Sequence, residues 1–114
     1  MKLSYMGIGQ WCATFACTGV SEGRMVKLSG SGTAAECAAG DRFAGCAASV
    51  ARSGDACSVV LGGIVTVPYS GDDPAPGWAT LSADGAGGVR ADPAGQSYLV
   101  VEVNTADKTA AFVL

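Results

Sequence analysis

Short runs of apolar residues alternate with polar or small residues along this chain, and glycine or aspartate separates most runs from the next. The clearest run is Tyr98–Asn104, where we expect Leu99, Val101 and Val103 to face the core and the polar residues beside them to face solvent. A period of two is typical of a β-strand that packs on one face.

The same pattern predicts seven to nine short strands and no helix longer than about two turns. In Gln10–Thr18, alternation places Trp11, Ala13, Phe15 and Cys17 on the better packed face. In Met25–Ser29 the apolar residues at 26 and 28 should point inward. The segment 33–38 fits a strand or a single helical turn, and the flanking glycines favour a strand. The other extended segments are Phe43–Ser53, Ala56–Leu61, Ile64–Tyr69, Trp78–Ser82, Val89–Ala91 and Thr109–Leu114.

Turn residues mark the strand ends. Asp84–Gly88 has the composition of a hairpin turn, and the sequence SGDDPAPG at 70–77 predicts a long loop stiffened by two prolines. Pro68 cannot donate a ladder hydrogen bond and is expected at a strand end or an unpaired edge. Turn signals recur about every 8–12 residues, which is typical of an all-β domain, either a small barrel or a sandwich.

No internal repeat and no domain boundary is apparent in the sequence. We therefore take residues 11–114 as a single β domain. Residues 1–10 lack the alternation of a core strand and are interpreted as an extended N-terminal arm.

Composition adds limits on the core and on the partners. The chain has 114 residues, enough for one domain, and much of its apolar content is alanine, so the core is modest and association would help it. The formal net charge is −3 and the basic residues are scattered, which argues against nucleic-acid binding. No apolar run has the length of a signal peptide or of a membrane-spanning helix.

Five cysteines are present, at positions 12, 17, 37, 46 and 57, and none has the spacing of a metal site. No histidine is available to complete a zinc site or to activate a nucleophile. We expect reduced cysteines that pack as small apolar residues, no cofactor, no metal and no catalytic residue. The aspartates at 41, 55, 84, 92 and 107 all fall in predicted turns, where such side chains cap their own backbone.

The large aromatic residues are the strongest candidates for a partner-binding surface. Trp78 follows the stiff loop that contains Pro74 and Pro76, a geometry suited to presenting an aromatic ring to a partner, and Trp11 opens the first strand. Either tryptophan would instead serve as core in a domain with so few large side chains. In the arm, the apolar side chains suited to ordering on a neighbour by strand addition are Tyr5, Met6 and Ile8.

Several segments together resemble one protein family. They are EGRMVKL at 22–28, CAAGDRFAG at 37–45, VVLGGIVTVPYSG at 59–71, and the turn ADG at 83–85 with the terminal hairpin. In this order the segments resemble the small capsid cement proteins of tailed phages, a group once classed as a domain of unknown function. The resemblance implies a β-rich protein that binds the outside of a phage or prophage head, commonly as a homotrimer.

The resemblance also implies the partner and the place of action. The partner would be the major capsid protein, and the chain would be made in the bacterial cytoplasm and carried on the virion capsid surface without catalysing a reaction. An alternative from another class is a module that binds a small ligand or a carbohydrate, with Trp78 and Tyr69 lining a concave site. A cysteine-dependent enzyme is a third interpretation, but it needs a base that the sequence does not offer.

Overall fold

The computed structural model describes residues 9–114, and in this range the chain forms ten strands and no helix. The arm residues Tyr5, Met6 and Ile8 lie outside the described residues. The strands are β1 (Trp11–Cys17), β2 (Met25–Gly30), β3 (Thr33–Glu36), β4 (Gly45–Val50), β5 (Ala56–Gly62), β6 (Ile64–Ser70), β7 (Gly77–Ala83), β8 (Val89–Ala91), β9 (Gln96–Asn104) and β10 (Thr109–Val113). The all-β prediction is therefore confirmed. The strand count exceeds the expected seven to nine because the short segments β3 and β8 both pair, and 33–36 is strand instead of a helical turn.

The strands close into two small barrels rather than a sandwich. The first barrel has the order β1-β3-β2-β4-β5, and the second has the order β10-β6-β8-β7-β9. Pro68 lies inside β6 opposite Thr109, near the end of that strand, and its ring is exposed. Closure gives each barrel a small interior, which the apolar residues with period two can fill.

The second barrel repeats the topology of the first, so the chain contains an internal repeat that the sequence pattern did not reveal. Strand β1 pairs parallel with β3 and antiparallel with β5, and β6 pairs in the same way with β8 and β10. Strands β2 and β7 each join two antiparallel neighbours, β3 with β4 and β8 with β9. Five strands are thus followed by five strands of the same order and direction.

A β-bulge at the same place in both barrels aligns the two halves residue by residue. In the first barrel Ala47 pairs with Val59 and Ser49 with Ser58, which leaves Ala48 as the extra residue. In the second barrel the corresponding pairs join Val100 to Phe112 and Glu102 to Ala111, with Val101 extra. Each of these residues of the first barrel is separated from its counterpart in the second barrel by the same number of sequence positions.

The bulge in β9 accounts for one wrong prediction about side-chain faces, and a second wrong prediction lies in β2. In β9 the core residue is Val100, which is 2% exposed, whereas Leu99 and Val101 are only half-buried. The extra residue shifts the alternation by one position, so Val103 faces the same side as Val100. In β2, Val26 is buried as expected, but Leu28, two residues later in the same register with β3, is 53% exposed.

One buried cluster is shared by the two barrels. Met25, Phe43, Cys46 and Val60 of the first barrel belong to the same apolar cluster as the interior of the second. The interior of the first barrel forms a smaller cluster of its own, with members Cys17, Val20, Val26, Ala34, Ala47, Cys57 and Val59. The second barrel therefore depends on the first for part of its core.

Rings and backbone hydrogen bonds join the barrels at this shared core. Phe43 stacks on Tyr98 with ring centroids 4.9 Å apart, and both rings contact Phe112, at 5.7 and 5.4 Å respectively. The Met25 amide donates to the Gly87 carbonyl at 2.9 Å, in the hairpin between β7 and β8. These contacts make the two barrels one packed body.

Candidate interaction surfaces

Trp78 is the most exposed large apolar residue of the described chain, at 74% of its full area. It lies on β7 directly opposite Leu99 of β9. A shallow groove of about 290 Å³ runs beside it and is lined by Trp78, Ser97, Tyr98, Leu99, Val113 and Leu114. We call the outward residues Trp78, Leu99 and Val113 the Trp78 wall.

A second apolar depression, the junction groove, lies where the two barrels meet. Its volume is about 440 Å³, and its lining consists of Leu28, Arg42, Phe43, Ala44, Leu61, Tyr98 and Leu114. Leu28 is the one large apolar side chain of this lining that is exposed, and Arg42 is its one charged side chain. Tyr98 and Leu114 also line the groove beside Trp78, so the two depressions adjoin.

Trp11 forms a separate exposed aromatic position. It is 59% exposed, and its indole lies across Gly62, its partner on β5. A Cβ at position 62 would overlap the indole ring, so only glycine leaves room for the ring at this place. Trp11 follows the arm directly, and Gln10 beside it donates from Nε2 to the Ile64 carbonyl at 2.5 Å.

The two prolines of the predicted loop have different environments. Pro74 is buried and is not accessible to a partner in this structure, whereas Pro76 is exposed. The loop is held by the Tyr69 hydroxyl, which donates to Asp73 Oδ1 at 2.5 Å, and by Lys108 Nζ, which donates to the Gly71 carbonyl at 3.0 Å. The loop is thus tied to the second barrel before it reaches Trp78.

Tyr69 does not join Trp78 in a concave site. It is 3% exposed, lies in the shared cluster, and carries the Lys108 ammonium 5.0 Å from its ring centroid. Its hydrogen bond to Asp73, together with burial, raises the pKa of Tyr69 to about 12. The aromatic pair suggested for a carbohydrate site is therefore not formed.

All five cysteines are free. Cys17, Cys46 and Cys57 are buried, Cys37 is half-buried, and Cys12 is exposed. Burial raises the pKa of the Cys37 thiol to about 11, with a smaller contribution from the nearby Asp41 carboxylate. Burial raises the pKa of Cys57 to about 11 as well, helped by a hydrogen bond with Cys17. The Cys37 and Cys57 thiols are therefore protonated near neutral pH.

Three of the five aspartates expected to cap turns, Asp41, Asp84 and Asp92, accept hydrogen bonds from backbone amides, whereas Asp55 accepts from the Ser53 hydroxyl. Asp84 accepts from the Ala86 and Gly88 amides, and Asp92 accepts from the Ala94 amide and the Ser82 hydroxyl. At the 105–108 turn, however, Asn104 caps the backbone instead of Asp107. Within residues 9–114, no group of three or more histidine, cysteine, aspartate or glutamate side chains could hold a metal ion.

The shortest ion pair among the described residues joins Asp41 to Lys27. Asp41 Oδ2 accepts from Lys27 Nζ at 2.6 Å and from the Ala38 amide at 2.8 Å. The Lys27 hydrogen bond, then the Ala38 amide, hold the pKa of Asp41 below its usual value, and the same carboxylate raises the pKa of Lys27. This pair fixes the loop that leads to Phe43.

In comparisons with known proteins, no protein-family model matches the chain, and no similar sequence is found among curated proteins. Over the described part of the chain, no helix is long and apolar enough to cross a membrane.

Sequence reasoning identifies both tryptophans as candidates but misses the surfaces around them. The prediction that two leucines face the core is wrong: Leu99 lies on the face of β9 opposite to Val100, and Leu28 is 53% exposed. Only short traces of the internal repeat remain in the sequence, as Leu-Ser at 28–29 and 81–82 and as Val-Leu at 60–61 and 113–114. They do not mark Leu28 or Leu99 as exposed, because the counterparts Leu81 and Cys46 are buried.

Proposed function

We propose that this protein is a structural component of a phage or prophage head, a decoration protein that binds the outside of the capsid and stabilises it without catalysing a reaction. Its partner is the major capsid protein, and it acts as a homotrimer on the virion surface after synthesis in the bacterial cytoplasm. The resemblance of its segments to phage cement proteins supports this proposal.

The observation that carries the proposal is the exposure of large aromatic side chains on a rigid, all-β body. Trp78 and Trp11 are 74% and 59% exposed, although the chain has only two tryptophans and a modest core. Tryptophan is enriched among residues that dominate binding energy at interfaces. A body of this kind suits adhesion through several modest contacts, which many copies on one shell turn into firm retention.

The two tryptophans suit different contacts. Trp11 directly follows the arm, so the head-facing surface in this proposal comprises Tyr5, Met6, Ile8 and Trp11. Trp78 lies on the second barrel beside Pro76 and belongs to the contacts between copies. The proposal thus separates attachment to the shell from association of the protein with itself.

The test is sedimentation with heads from the source cells. After prophage induction, tagged protein is added to the lysate, heads are isolated on a density gradient, and the head fractions are analysed by mass spectrometry. We expect the tagged protein to travel with the major capsid protein. A full-length variant with alanine at positions 5, 6 and 8 should remain folded and travel much less with heads, while Ala106→Asp, in an exposed turn, should behave as wild type.

Tagged wild-type protein that stays at the top of the gradient while heads sediment would contradict the proposal. Binding to a glycan array at micromolar strength, with no binding to heads, would favour the ligand-binding alternative instead.

A further inference from the structure

Corresponding residues of the two barrels have opposite exposure. In the bulge alignment, Trp78 is the counterpart of Met25, since Met25 pairs with Cys46 in the same way as Trp78 pairs with Leu99. Three residues further along each strand, Leu81 is the counterpart of Leu28. Met25 is 0% exposed and Trp78 74%, whereas Leu28 is 53% exposed and Leu81 1%. The start of β2 and the end of β7 are buried, and their counterparts are open to solvent.

The buried members of these pairs are buried by the contact between the barrels. The outer wall of the first barrel, formed by Met25, Cys46 and Val60, packs in the same cluster as the interior residues of the second barrel, including Leu81. The two surfaces that meet are different, one a wall and the other the open end of a barrel. The internal interface is therefore of the head-to-tail kind.

A head-to-tail interface leaves one surface of each kind unused. The counterparts of Met25, Cys46 and Val60 are the three residues of the Trp78 wall, of which Trp78 is 74% exposed and Leu99 and Val113 are half-buried. The counterpart of the covered end of the second barrel is the end of the first barrel at Leu28, which opens into the junction groove. The molecule thus displays both halves of an interface that it already forms once within itself.

We infer that copies of this protein associate head to tail, with the Trp78 wall of one copy covering the Leu28 end of the first barrel of the next. The contact would reproduce the internal interface between the barrels. This inference concerns self-association only and holds whatever the chain binds outside itself. Closure after three copies, which would place six barrels in one ring, rests on the homotrimer of the proposed function.

Size and charge fit this pairing. Trp78 is larger than its counterpart Met25, and the hairpin after Leu28 has only Ser31 and Gly32 between its strands, where the second barrel has the longer turn 84–88. The larger side chain therefore fills space that the shorter hairpin leaves. The wall has no charged side chain, and the junction groove has only that of Arg42, so the contact buries little charge.

The test uses two full-length variants, each of which disables one surface. Trp78→Asp disables the wall, and Leu28→Asp disables the groove; both positions are exposed, so the fold should survive, as circular dichroism would check. By light scattering after size exclusion, wild type should form a discrete oligomer, and each variant alone should be monomeric. Loss of a Trp or Leu anchor from the contact between copies should raise the dissociation constant at least about 30-fold.

The decisive sample is an equimolar mixture of the two variants. Each variant retains one intact surface, so the mixture should form a one-to-one heterodimer and nothing larger. Ala106→Asp should retain the wild-type oligomer, and Trp78→Phe should retain it at a higher concentration. Monomeric wild type at about 100 μM would overturn the inference, and so would a mixture that stays monomeric or a Leu28→Asp variant that dimerises with itself. None of these samples contains heads, so the outcome is independent of the sedimentation test.

Discussion

Replacing Phe43 with alanine should destabilise both barrels together. Phe43 is 4% exposed, belongs to the first barrel, and contacts two rings of the second, Tyr98 and Phe112. Truncating a buried phenylalanine costs about 3–5 kcal/mol in lost burial and residual cavity. The two ring contacts, at about 0.5–1.5 kcal/mol each, place this site in the upper half of that range, so we expect about 4 kcal/mol.

A loss of this size is a large part of the stability of a domain this small, about 5–15 kcal/mol. At about 4 °C per kcal/mol, the melting temperature should fall by about 15 °C. The assay is urea unfolding at a low protein concentration, followed by tryptophan fluorescence and by circular dichroism. Trp11 reports on the first barrel and Trp78 on the second, so each barrel can be followed in a variant that keeps one tryptophan.

The control is Phe43→Leu, which keeps most of the volume and loses the ring contacts, at about 1–2 kcal/mol. A cost below about 1 kcal/mol for Phe43→Ala would contradict a shared core at this ring. Separate transitions of the two tryptophan probes in the wild type would contradict it as well, because a shared core requires the barrels to unfold together.

Three further predictions concern other parts of the molecule. Gly45→Ala should cost about 1–3 kcal/mol in urea unfolding, because its Cβ would overlap the Val60 carbonyl, whereas Gly30→Ala meets open space and should change stability little. The pKa of Asp41 is lowered, so the stability that its carboxylate contributes is fully present above the usual pKa of about 4 and is lost as pH falls through the lowered pKa. Asp41→Asn should therefore be less stable than wild type at neutral pH, and its stability in urea titrations should depend less on pH on the acid side. An unchanged dependence on acid pH would disprove this. A thiol reagent at pH 7 should label one cysteine quickly, the exposed Cys12, and all five in denaturant; fast labelling of a second site in the native protein would contradict the burial assigned to Cys17, Cys37, Cys46 and Cys57.

The strands were predictable from the sequence because alternation and turn residues are local signals. Each of the ten segments appears close to where the pattern placed it, including the hairpin at 84–88. The side-chain faces were less predictable, because a bulge depends on the partner strand. Ala48 and Val101 carry no local mark that distinguishes an extra residue from an ordinary strand position.

The internal repeat was hidden because the contact between the barrels gives corresponding positions different tasks. Met25 and Cys46 are buried in that contact, while their counterparts Trp78 and Leu99 are not. Corresponding positions of the two halves therefore carry different residue types, and the two halves do not look alike when their sequences are aligned. The similarity survives where both barrels need the same residue, as at Leu61 and Leu114. The sequence offered both tryptophans as exposed candidates but could not decide between exposure and core, since that depends on which surface the other barrel covers.

Capsid decoration can be observed by cryo-electron microscopy of isolated heads incubated with saturating protein, at the oligomeric state found in solution. We expect added density on the outer surface of the shell into which the two-barrel body fits, with Trp11 turned toward the capsid, and bare heads when Trp11 is replaced by aspartate. Bare heads with the wild-type protein, or equal decoration by the Trp11→Asp variant, would contradict the proposed decoration.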